Sequence, residues 1–104
     1  MHSRATDEPV SVTLVSLAEL RGYQPEQYLG LVQGSASTAS EAVQALEQRA
    51  LNRARRAHAD AARRRVVATG AYVVLGLKIT AGINASGQPV WVAYGTLARG
   101  HRRG

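Results

Sequence analysis

Apolar positions along this chain recur with two different periods, and the change from one to the other outlines the fold. Val10-Ser11-Val12-Thr13-Leu14-Val15-Ser16-Leu17 is rich in β-branched residues and predicts a first strand or extended segment. Gly22 and Pro25 predict a turn after it. Tyr28-Leu29-Gly30-Leu31-Val32-Gln33-Gly34 is a short apolar run of strand length. The spacing then switches to three and four. Val43, Leu46, Ala50, Ala54, Ala57, Ala61 and Ala68 fall on one narrow face of a helix. Thr38 followed by Glu41 predicts a capping box at its start, and Gly70 predicts its C′ residue, which makes it roughly thirty residues or about 45 Å long. Residues 72–80 and 90–97 return to strand patterning. Asn84-Ala85-Ser86-Gly87 supplies the turn between them, so the pair predicts a hairpin. Gly76 and Gly95 inside these strands predict a bulge, a bend or a close backbone approach. The expected architecture is α+β in the order ββαββ, one long helix packed on a small antiparallel or mixed sheet.

Length narrows this to one domain, expected over residues 10–98, with a disordered polar arm at 1–9 and a short basic tail at 99–104. A chain of 104 residues buries a modest share of its surface, so association with copies of itself is an easy source of further burial. Phe and Cys are absent, and Trp occurs once, so the core must come mostly from Val, Leu and Ala. Without cysteine there are no disulfides or thiolate metal sites. The start has no apolar stretch of the secretory type, and no run is long enough to span a membrane. A soluble cytoplasmic protein is expected.

Charge changes the picture more. Residues 1–48 hold two basic and six acidic side chains, whereas residues 49–104 hold eleven basic and one acidic. That asymmetry predicts a polyanionic partner, or an acidic face meeting a basic face of another subunit. Arg49, Arg53, Arg56, Arg63 and Arg64 lie on one broad side of the predicted helix, with Arg55 and Arg65 away from them. They are the candidates for polyanion or intersubunit contacts, with a plain solvated face as the bland alternative. No aromatic is interleaved with them to stack bases.

Catalytic chemistry finds little material. His2, His58 and His101 are not at ligand spacing from one another, so no metal ligands are assigned. No G-x-S-x-G elbow is present, and Asp60 is the sole acid of the C-terminal half, which leaves nucleophilic and paired-carboxylate mechanisms without residues. The loop from Gly82 to Gly87 lacks the spacing of a phosphate-binding loop and its lysine. No cofactor and no enzymatic activity are expected. Trp91 and Tyr94 are the candidate ligand or interface aromatics, and their spacing puts them on opposite faces of the last strand.

The stretch Glu26-Gln27-Tyr28-Leu29-Gly30-Leu31-Val32-Gln33-Gly34-Ser35-Ala36, the Arg/Ala helix, the run Gly70-Ala71-Tyr72-Val73-Val74-Leu75-Gly76-Leu77 and the closing Tyr94-Gly95-Thr96-Leu97 together resemble the YbjQ family of small bacterial proteins, a family associated with heavy-metal binding. The resemblance covers about residues 10–98. It implies a ββαββ subunit assembling with itself into a pentameric ring, sometimes a stacked decamer. Lys78 and Thr80 stand where that family usually carries acidic residues, and the loop before the helix is shorter, which weakens the carry-over of metal binding. Dodecin, a flavin-storing assembly, has a related subunit topology, in which Trp91 would take the stacking role. The expectation is therefore a non-catalytic ring-forming homo-oligomer, with a nucleic-acid-binding module, or a small-molecule store of flavin type or metal-binding protein, as alternatives.

Overall fold

The computed structural model describes residues 10–64 and 70–102. The segment 1–9, Arg65 and Ala68 lie outside the described residues. The elements are β1 (Val12–Leu14), β2 (Tyr23–Ala36), α1 (Ala39–Arg63), β3 (Ala71–Ile83) and β4 (Pro89–Arg102). They form the expected α+β arrangement, with one helix on a four-stranded mixed sheet of order β1-β3-β4-β2. β4 is antiparallel to both β2 and β3, and β1 runs parallel to β3.

The long strands differ from the sequence expectation, and the reason is physical. β2 starts at Tyr23, five residues before its apolar run, because Tyr23, Gln24 and Pro25 pair with Arg102, His101 and Gly100. Pro25 is thus inside a strand and not in a turn. It is tolerated because β2 is an edge strand and a register shift falls just after it. By the same pairing, Arg99 to Arg102 are strand and not tail. The turn belongs to Gly22, which has φ +80°, with the Tyr23 N–H donating to the Leu20 carbonyl at 3.1 Å. β1 is shorter than predicted, since only Val12–Leu14 pair with Tyr72–Val74. Gly76, at φ +67°, sits in the register shift between Leu75 and Lys78, which is the bulge its position in the sequence predicted.

Helix α1 begins as its sequence dictates. The Thr38 hydroxyl accepts from the Glu41 N–H at 3.2 Å and donates to the Glu41 carboxylate at 2.9 Å, so the reciprocal bond of the box closes on the side chain of Thr38. The helix ends earlier than expected. Arg64 is its C-cap, with the Arg64 N–H donating to the carbonyls of Asp60 and Ala62, and Gly70 lies beyond it in the approach to β3. At 25 residues it is about 37 Å long, shorter than the roughly thirty residues expected.

The buried face of α1 is Ala42, Leu46, Ala50 and Ala54, and it packs on Val32, Val74, Ala93 and Leu97. Tyr23, Val73, Leu75 and Ala98 form a smaller cluster with Val15 and Leu20. Small residues let the helix come very close. A Cβ at Gly34 would lie 2.2 Å from the backbone nitrogen of Leu46 and 2.7 Å from the carbonyl oxygen of Ala42, so only glycine fits there. Gly34→Ala is therefore expected to cost about 3 kcal/mol in urea unfolding by forcing helix and sheet apart. Ser35→Ala, at the exposed neighbouring position, should stay within about 0.5 kcal/mol.

Candidate functional site

The helix arginines do not act as one cluster. Arg49, Arg56 and Arg63 recur every seven residues along one exposed side of α1, and Arg53 lies between them. Arg53 turns inward to the sheet, where its guanidinium donates to the carbonyls of Leu31 at 2.8 Å and Leu29 at 3.4 Å. That ties the helix to edge strand β2 beside Gly30, whose φ is +102°. Arg63 is paired with Asp60 one turn back, and Arg64 caps the helix. Sequence spacing grouped Arg49, Arg53, Arg56, Arg63 and Arg64 on one broad side. It gave no sign that Arg53 holds backbone carbonyls, because that depends on how β2 lies under the helix.

The two candidate aromatics face opposite ways, as their spacing required. Trp91 is half-buried and packs against the helix-side core, opposite Ala36 on β2 and Ala81 on β3. Tyr94 is on the other face, opposite Gln33 and Lys78. There it borders a hollow of about 380 Å³ lined by Ala18, Tyr28, Leu31, Lys78, Tyr94 and Thr96, over the backbone of Gly76 and Gly95. The Gly76 N–H donates to the Leu17 carbonyl at 2.8 Å, which brings the β1–β2 connection up as one wall of this hollow. Tyr28 and Leu31, with 65% and 59% of their surface exposed, form its far side.

β3 carries the second uncovered feature. Its outer neighbour β1 pairs with residues 72–74, and the connection that follows bonds to Gly76 and Leu77. From Lys78 to Ile83 no strand lies outside β3 among the described residues. Ile79 and Ile83 are exposed on this stretch, at 43% and 77%. They oppose Ala93 and Pro89, which puts them on the helix-side face, where directly opposed residues share a face. The helix lies mainly over β2 and leaves this part of the face bare.

A polar group that the sequence did not single out gathers at the opposite end of the sheet. Glu26 accepts from His101 Nε2 at 2.6 Å and from Arg99 at 3.5 Å. Tyr23 is buried beside it and its hydroxyl donates to the Ala71 carbonyl at 2.8 Å. Burial pushes the Tyr23 phenol up to about 12 against the opposing pull of Arg99, and burial raises Tyr72 as well. These contacts join residues 48 to 75 positions apart, which explains why periodicity could not reveal them. No three His, Asp or Glu side chains gather among the described residues at a spacing that could hold a metal. No helix among them is long and apolar enough to cross a membrane. Neither a model of a protein family nor a curated protein matches the chain.

The Tyr23 phenol gives a pH prediction. Its neutral form is favoured by the fold, so that contribution to stability is complete below pH 10 and is lost as pH rises through about 12. A spectrophotometric titration should show one phenol ionising near pH 12, and this step should be missing in Tyr23→Phe.

Proposed function

We propose that the protein is a non-catalytic homo-oligomer of YbjQ-like type, in which the outer half of β3 and the bare helix-side face around Ile79 and Ile83 receive a neighbouring copy. The observation that carries this reading is the mismatch between helix and sheet. Strands spaced about 4.8 Å apart make a four-stranded layer that is roughly twice as wide as one helix of about 10 Å. One helix placed over β2 cannot cover it. The radius of gyration, 15.5 Å against about 13 Å for a compact chain of this length, agrees with an open subunit.

The available edges support a head-to-tail contact. β2 bounds one side of the sheet and the outer half of β3 bounds the other. A β2 edge paired to the β3 edge of the next copy would continue the sheet. It would also bring α1 of the first copy beside Ile79 and Ile83 of the second. Such heterologous contacts repeat and close into a ring when the rotation permits. The YbjQ resemblance favours a ring of five. An unpaired edge with exposed isoleucines is otherwise an aggregation hazard, which also favours a built partner. A cytoplasmic location fits a chain without cysteine.

The exposed row of Arg49 and Arg56 supports a second reading, in which the helix binds nucleic-acid phosphates. It is the weaker one, since Arg53 is bound to the sheet and Arg63 to Asp60. Native mass and light scattering at micromolar concentration separate these readings. The expected result is a closed assembly above the dimer, reduced to a smaller species by Ile83→Asp with its helical circular dichroism unchanged. A monomeric wild-type particle retained on DNA in a salt-dependent way would overturn the assembly reading in favour of the second.

A further inference from the structure

The hollow on the face away from the helix has a chemistry of its own. Three of its walls are apolar or aromatic: Tyr28 and Leu31 from β2, Tyr94 from β4, and Ala18 from the β1–β2 connection. It is also lined by Leu75, Gly76 and Gly95. Into this apolar setting the sheet places one cation. Lys78 opposes Tyr94 directly across the β3–β4 ladder, just past the Gly76 bulge that re-aims the strand. Lys78 forms no ion pair among the described residues. Hydroxyl groups of Tyr28, Tyr94 and Thr96 border the same space.

From these features we infer that the hollow is a binding site for a small aromatic carboxylate of one or two rings. The volume of about 380 Å³ lies at the small end of ligand pockets, which suits a ligand of that size. Planar rings gain contact between Tyr28, Tyr94 and Leu31, since aromatic side chains bring large area and defined stacking geometry. The carboxylate supplies the negative charge that Lys78 lacks, and the hydroxyls donate to its second oxygen. No carboxylate or imidazole lines the hollow. It lies on the face opposite Ile79 and Ile83, and so it does not depend on the assembly proposed above.

Calorimetric titration of the intact protein with naphthalene-2-carboxylate and with naphthalene-2-carboxamide tests this. The carboxylate should bind with a dissociation constant below about 1 mM, and about tenfold more tightly than the neutral amide. Lys78→Met, an exposed substitution, should abolish that preference while leaving the amide affinity unchanged. Tyr94→Ala should weaken both ligands, and Arg56→Ala should weaken neither. Equal affinity for the two ligands, no binding below about 1 mM, or an effect of Arg56→Ala equal to that of Lys78→Met would each overturn the assignment.

Discussion

Everything in this fold follows from how closely one helix is seated on the sheet. At Gly34 the backbone of α1 approaches where any side chain would collide with it, and Ala42, Ala50 and Ala54 continue the same close fit. Leu46 is the only large side chain on the buried helix face. Such packing excludes water efficiently beneath the helix, but its footprint is narrow because alanines reach no further sideways. The helix therefore settles over β2, where Arg53 fixes it to the carbonyls of Leu29 and Leu31. The cost of that choice appears on β3, whose outer half is left with exposed isoleucines and an unpaired edge.

The two faces of the sheet consequently carry different features. On the helix side, Ile79 and Ile83 stand exposed on the strip of β3 that the helix leaves bare. On the opposite side, the Gly76 bulge and the connection through Ala18 make a concave space with one lysine in it. The polar group of Glu26, Arg99 and His101 holds the far ends of β2 and β4 together and keeps those long strands paired beyond their apolar parts. The charge asymmetry seen along the chain is thus partly consumed inside the subunit: Glu26 from the acidic half meets Arg99 and His101 from the basic half.

Local signals in the sequence were informative where a feature is made by neighbours in the chain. Thr38 and Glu41 marked the helix start, Leu46, Ala50 and Ala54 marked its face, and Gly76 marked a bulge. The opposite facing of Trp91 and Tyr94 followed from the strand period alone. Features made by distant residues were not legible. Gln24, Glu26, Arg99 and His101 look like turn and tail residues, yet they are strand because each end of the β2–β4 ladder supplies hydrogen bonds to the other. Arg53 looked like its arginine neighbours until the position of β2 beneath it was known. The helix end was misplaced because the Ala/Arg composition continues past Arg63 and offers no local stop. The hollow is assembled from four separate segments, so no single stretch of sequence could announce it.

The proposed neighbour would pair along the outer half of β3. Residue-resolved amide hydrogen exchange over Lys78–Ile83 tests this, because alternate amides in this stretch point away from β4. With a neighbour in place, these outward amides are protected under native conditions and lose protection when the assembly is dissociated by dilution. Rapid exchange of the outward amides at every concentration, beside protected inward ones, would contradict it.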